Sequence, residues 1–177
     1  MKNNTLTTKL VFTALMTAVT CLLTFAIRLP SPTGYINAGD IAVLTCAFLL
    51  GPLWGTLAAG LGSALADILS GYFQYAPATF VIKALVALTA FGVMFLFRKV
   101  QEKTILRILT NILGFALGEA LMVGLYLAYE ATILSYGAGA LASVPGNCMQ
   151  GLAGILGGLI IVEILRKIRI KEKYLSK

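Results

Sequence analysis

The sequence predicts an all-α integral membrane protein: a six-transmembrane-helix bundle with its N- and C-termini cytoplasmic. Three observations predict it. First, 59% of residues are hydrophobic and only 12% are charged, against roughly 25% charged in soluble domains. Second, 26 residues separate Asp40 from Asp67, and 32 separate Glu130 from Glu163, with no charge between. About 20 apolar residues suffice for a helix to cross a bilayer. The runs are continuous and do not alternate as barrel strands do. Third, 12 of the 14 Lys and Arg fall in three groups: Lys2 and Lys9; Arg98, Lys99, Lys103 and Arg107; and Arg166, Lys167, Arg169, Lys171, Lys173 and Lys177. By the positive-inside rule, the N-terminus, the loop near residue 100 and the C-terminus are cytoplasmic.

Helix one is expected over 9–27. Its basic start and apolar core are those of a signal peptide, but no small-residue cleavage site follows, so it is read as a helix. Ala14 and Ala18 share a face and let another helix approach closely; that neighbour is either inside the bundle or an external partner. Residues 28–34 carry Pro30, Pro32 and Gly34 and are expected to form an irregular outer loop. Helices two and three are expected over 39–50 and 53–69, turning at Gly51-Pro52. Asp40 stands near a helix N-terminus, where the dipole favours an anion; it is either a cap or part of a site. Helix three is lined with Gly55, Ala58, Ala59, Gly60, Gly62, Ser63, Ala64 and Ala66, a face smooth enough for close backbone packing.

The outer loop 71–77 holds Tyr72, Phe73, Gln74 and Tyr75, either an interfacial aromatic belt or the wall of a ligand site. Helix four is expected over 78–97, with Lys83 about 9 Å below its outer end at 1.5 Å per residue. Helix five is expected over 105–134. Its Glu119, Met122, Tyr126 and Glu130 stand three, four and four apart, on one face. A Gly/Ala-rich loop, 135–143, leads to helix six over 144–165, where Pro145 suits a first helical turn and Asn147 and Gln150 share a face. No linker or repeat divides the chain, so residues 1–177 are read as one membrane-embedded substrate-binding domain.

Sorted by depth, Arg28, Asn37, Asp40, Asp67, Gln74, Lys83, Glu130, Asn147 and Gln150 gather in the outer half, with Tyr35, Tyr72, Tyr75, Tyr126 and Tyr129 at similar depth. The inner half is nearly free of polar groups. A cavity there opens outward and is closed inward, which fits a receptor and not a pore. Tyrosine and phenylalanine faces with Lys83, Asp40, Asn147 and Gln150 suit a small heteroaromatic molecule. Lys83 alternatively pairs with Asp67 or Glu119 for structure alone. A charge at bilayer depth costs about 2.5–3.5 kcal/mol on insertion scales, so such groups mark a site or a pair.

Several classes are excluded or disfavoured. No Gly-x-x-x-x-Gly-Lys-Ser/Thr loop offers to hold nucleotide phosphates. The chain has no histidine, and no metal-ligand cluster or nucleophile–base pair, so neither an enzyme nor a cofactor is expected. Cys21, Cys46 and Cys148 read as apolar fillers. The net charge of +7 lies at helix ends and suits anionic lipid headgroups better than nucleic acid.

Gly34-Tyr35-Ile36-Asn37-Ala38-Gly39-Asp40, Leu50-Gly51-Pro52, Gly62-Ser63-Ala64-Leu65-Ala66-Asp67, and Tyr75-Ala76-Pro77-Ala78-Thr79 with Lys83 resemble the substrate-binding S components of energy-coupling factor (ECF) vitamin transporters. The nearest branch is the riboflavin-transporter-like group with its pyridoxine and hydroxymethylpyrimidine carriers. The resemblance covers most of the chain. It implies a multi-pass protein of the bacterial plasma membrane that binds a small vitamin from outside. It also implies partners: a membrane coupling subunit, met through Ala14 and Ala18, and two cytoplasmic ATPase subunits. The loop after helix one becomes a lid carrying Tyr35 and Asn37, and helices four to six bring Lys83, Glu119, Tyr126, Asn147 and Gln150 to the ligand. The alternative is a self-sufficient secondary transporter.

Overall fold

A computed structural model of the chain describes residues 4–32, 34–100, 102–170 and 175. Lys2, Lys171, Lys173 and Lys177 of the basic groups lie outside them. The described residues form five α-helices and one small antiparallel hairpin: α1 (Asn4–Ala26), β1 (Arg28–Pro30), β2 (Tyr35–Asn37), α2 (Gly39–Leu69), α3 (Ala76–Leu96), α4 (Thr104–Thr132) and α5 (Val144–Lys167). Short 3-10 turns lie at Arg98–Val100 and Gly137–Ser143. All five helices are long and apolar enough to cross a membrane.

Five helices stand where six were expected, and the difference lies at Gly51. The spans expected over 39–50 and 53–69 are one 31-residue helical run. Within it Gly51 has φ 75° and ψ −164°, a conformation open essentially only to glycine. Pro52 follows, without an N–H to bond back into the preceding turn. The two limbs of α2 double back on each other there. A Cβ placed on Gly55 would lie 2.6 Å from the Cys46 carbonyl oxygen, whereas nine residues of straight helix would separate them by about 13 Å. Likewise Thr20 of α1 touches Cys46 Sγ at 3.7 Å, and a Cβ on Gly62 would meet Thr20 Cβ at 2.6 Å. Gly51→Ala is therefore expected to cost about 1–3 kcal/mol, read as a lower unfolding midpoint in detergent micelles.

The first limb of α2 is the centre of the molecule: every residue from Ala42 to Leu49 is buried. An all-round apolar helix belongs in such a place. α1 and α3 pack against α2, α4 packs on α3, and α5 closes the bundle against α2 and α4. The second limb turns Gly55, Ala58, Ala59, Gly60, Gly62, Ser63 and Ala66 inward and Leu53, Leu61, Leu65, Ile68 and Leu69 outward. Smallness on one face and bulk on the other is the pattern of a helix packed on one side and greasy on the other.

The segment expected as irregular loop is a hairpin instead. Arg28 pairs with Asn37, Leu29 with Ile36 and Pro30 with Tyr35. With only two strands, each is an edge, so the N–H that Pro30 lacks costs nothing on its open side. Ser31 closes the turn: its N–H donates to the Gly34 carbonyl at 3.0 Å, and its Oγ accepts the Gly34 N–H at 3.2 Å. The hairpin lies across the end of the bundle, with Ile36 against Gly146 at the start of α5.

Candidate functional site

Beneath the hairpin lies a cavity of about 50 Å³. Its wall comes from the hairpin and four helices: Ser31, Gly34, Tyr35 and Asn37 from the hairpin, Asp67 from the end of α2, Tyr72, Tyr75 and Thr79 around the start of α3, Tyr126 and Glu130 from the last turns of α4, and Asn147 and Gln150 from the first turns of α5. Typical ligand pockets measure about 300–1,000 Å³, so this one is too small for a ring unless its wall moves.

Hydrogen bonds hold the hairpin shut. The Gln150 side-chain oxygen accepts the Asn37 backbone N–H at 2.8 Å and the Asn37 amide at 3.0 Å. Asn37 Oδ1 accepts the Gly39 N–H at 2.8 Å, satisfying one open donor at the start of α2. Tyr35 donates its phenol to Asp67 Oδ1 at 2.5 Å. Burial, then the Asp67 carboxylate, push the Tyr35 phenol far above its ordinary value, so it stays a neutral donor. Burial and Glu130 do the same at Tyr75, which donates to Glu130 Oε1 at 3.2 Å. The rings run in a chain: Tyr35 to Tyr72 at 5.1 Å, Tyr72 to Tyr75 at 6.1 Å and Tyr75 to Tyr129 at 6.0 Å between centroids, within the range of favourable aromatic pairs.

Behind the wall is a charged floor. Lys83 Nζ lies 2.5 Å from Asp40 Oδ1, and the Gln150 amide donates to Asp40 Oδ2 at 2.6 Å. Asp40 is 1% exposed and Lys83 2%. Lys83 also reaches Met122 Sδ at 2.7 Å and sits 5.6 Å from the centre of the Tyr126 ring. Of the expected alternatives for Lys83, neither Asp67 nor Glu119 is its ion-pair partner; Asp40 is. Asp40 is not a side-chain cap either, since its oxygens go to Lys83 and Gln150. Glu119 is 3% exposed, and neither of its oxygens has a hydrogen-bond partner among the described residues.

The structure thus brings Tyr35, Asn37, Tyr75, Tyr126, Asn147 and Gln150 onto one cavity and sets Asp40, Lys83 and Glu119 one layer behind it. Glu119, Met122 and Glu130 are all buried and Tyr126 partly so, as their spacing on one face of α4 requires. The site residues read from sequence omit Ser31, Gly34, Asp67, Tyr72, Thr79 and Glu130. Asp67 and Thr79 each stand at the end of a quoted motif, and Glu130 lies on the Glu119 face; Thr79 bonds the Tyr126 hydroxyl at 2.9 Å. Gln150→Leu removes the acceptor that latches the hairpin. It is expected to raise hydrogen exchange at the Asn37 backbone amide by about tenfold, since both Asn37 bonds to that acceptor are lost, each worth about 0.5–1.5 kcal/mol.

At the other end, Arg107 bonds Glu163 at 2.8 and 3.2 Å and Arg166 lies over the Phe48 ring at 4.9 Å. Between the two ends the core is Leu44, Val86, Phe115 and Val162, all fully buried.

Comparison with known proteins gives this arrangement its context. The family model described as "ECF-type riboflavin transporter, S component" matches residues 4–167. An uncharacterized protein of Pyrococcus woesei is 38% identical over 146 residues, covering 81% of this chain and 92% of that protein. The fold is similar to a solved S component of a bacterial ECF transporter, with TM-score 0.69 and 20% identity over 90% of this chain and 96% of that one. It is also similar to the 2.1 Å crystal structure of the S component for biotin from an ECF-type ABC transporter, with TM-score 0.63 and 21% identity over 99% and 100% of the two chains. The chain belongs to the ECF-type riboflavin transporter S component family, and with it to the multi-pass membrane proteins that serve ECF transporters as vitamin-binding subunits and are not enzymes.

Proposed function

We propose that this chain is the high-affinity receptor of an ECF-type importer for a small heteroaromatic vitamin, with pyridoxine or hydroxymethylpyrimidine first and riboflavin next. It takes the vitamin from outside and hands it to an ATP-driven module of one membrane coupling subunit and two cytoplasmic ATPases. The observation that carries the reading is the asymmetry of the bundle. Polar and tyrosine side chains converge on one cavity at the hairpin end, with the Asp40–Lys83 pair behind it and an apolar core of Leu44, Phe115 and Val162 beyond. A solute bound there needs outside work to pass inward.

In this reading residues 1–177 form one domain that crosses the membrane six times: once each by α1, the two limbs of α2, α3, α4 and α5. Arg98, Lys99, Lys103, Arg107, Arg166 and Lys167 cluster away from the cavity, which puts that end in the cytoplasm by the positive-inside rule. Tyr35, Asn37, Tyr75, Tyr126, Asn147 and Gln150 contact the vitamin, and Asp40, Lys83 and Glu119 brace that wall from below. Ala14 and Ala18 are exposed on α1 and form the seat for the coupling subunit.

The test is calorimetric titration of the purified chain, without ATP, against the B vitamins, with mass spectrometry of any small molecule that co-purifies. One vitamin is expected to bind at submicromolar Kd; flat titrations across the set count against the reading. One observation favours a second reading, a self-sufficient secondary transporter: Glu119 is a buried carboxyl with no hydrogen-bond partner among the described residues, as a proton or ion relay requires. Gradient-driven uptake into liposomes holding this chain alone decides for it, and its absence removes it.

A further inference from the structure

Resting on the vitamin-receptor reading but reordering its vitamins by charge, we infer that the ligand is cationic: a nitrogen heterocycle with a fixed or acquired positive charge, or a ring bearing a protonated amine. Among the described residues the cavity wall carries the Asp67 and Glu130 carboxyls and no lysine, arginine or histidine. The nearest buried cation is already engaged, since Lys83 Nζ is held by Asp40 at 2.5 Å. No positive group of the wall is left to receive a carboxylate or phosphate, and an anionic vitamin would face two acids.

Two further observations point to a positive guest. Asp67 is 5% exposed. Its Oδ1 takes the Tyr35 phenol; its Oδ2 has no well-formed hydrogen bond among the described residues, and the Thr79 hydroxyl beside the carboxyl is already bonded to Tyr126. A buried carboxylate oxygen without a donor is costly, and an N–H⁺ in the cavity supplies one. The wall is also ringed with tyrosine, at 35, 72, 75 and 126, and such faces attract cations that have shed water. The chain uses this attraction itself on the outer side, where the Arg28 guanidinium lies 5.7 Å from the centre of the Tyr35 ring.

The experiment titrates the purified full-length chain in detergent with two cations, thiamine (a thiazolium) and pyridoxamine (an ammonium), and two neutral comparators, pyridoxine and riboflavin. Pyridoxamine and pyridoxine differ chiefly by an amine in place of a hydroxyl. At least one cation is expected to bind tenfold or more tighter than either comparator. Asp67→Asn is expected to cut that preference below threefold; if that variant does not fold, Glu130→Gln is read in its place. Pyridoxine or riboflavin binding as tightly as the cations overturns the inference and leaves the receptor reading standing. A cation preference that survives the folded variant overturns the assignment to these acids. No binding of any of the four, with nothing co-purifying, overturns the receptor reading as well.

Discussion

Lys83→Ala is expected to destabilise the folded chain by about 3–5 kcal/mol, the usual cost of orphaning one member of a buried ion pair. The size follows from where the charge is left. Asp40 is 1% exposed, and without Lys83 its remaining bonded donor is the Gln150 amide. Its other carboxyl neighbour, Glu119, is itself buried and unpartnered among the described residues. Two acids would then share a dry space with no cation. Vitamin affinity is expected to fall at least tenfold as well, or about 1.4 kcal/mol. Gln150 spans the two layers, taking the Asn37 hydrogen bonds on one side and reaching Asp40 on the other, so movement of Asp40 reaches the hairpin. Unfolding in detergent measures the first effect and calorimetry the second. The double variant Asp40→Leu, Lys83→Met separates them: stability is expected to return in large part, because no unpaired charge remains at the pair, while affinity is not. An affinity unchanged in Lys83→Ala assigns the lysine to structure alone.

The helices were legible because a bilayer imposes a crude and long-range rule. Runs such as 41–66 contain no charge, and Gly51-Pro52 in the middle of that run marked the turn to within a residue. That the helical hydrogen bonding carries on past the turn, giving one run instead of two helices, depends on a single φ/ψ pair at Gly51 that composition cannot fix. The β hairpin was missed because its strands are three residues each and Pro30 and Pro32 argue against strand. Its register depends on Asn37 meeting Gln150, 113 positions away. The site was half legible for the same reason. Depth along each helix could be counted, which gathered Tyr35, Asn37, Tyr75, Tyr126, Asn147 and Gln150 at one level, and these six line one cavity. Rotation between helices could not be counted. It decides that Lys83 of α3 faces Asp40 of α2, and that Asp67 lines the cavity while Asp40 lies beneath it.

Ala14→Leu with Ala18→Leu is expected to abolish vitamin uptake while leaving vitamin binding within about twofold. On α1 the residues that face the bundle are Thr13, Met16, Thr20 and Thr24, all buried. Ala14 and Ala18 lie on the other side, exposed, flanked by exposed Leu10, Val11, Leu15 and Leu22. An alanine facing lipid gains nothing over a leucine there, because lipid tails are as apolar as leucine; small residues matter where a second helix comes close. Two leucines at these exposed positions face away from the bundle, so stability is expected to change by no more than about 0.5 kcal/mol, as at other open sites. They do fill the groove in which a partner helix would lie. The measurements are uptake in cells that also express the coupling subunit and ATPases, capture of those subunits by the tagged chain, and calorimetric binding on the chain alone. Loss of uptake and capture with binding intact places the seat on this face of α1. A parallel loss of binding shows instead that Ala14 and Ala18 serve the packing of the bundle, and the coupling subunit must then be sought on another surface.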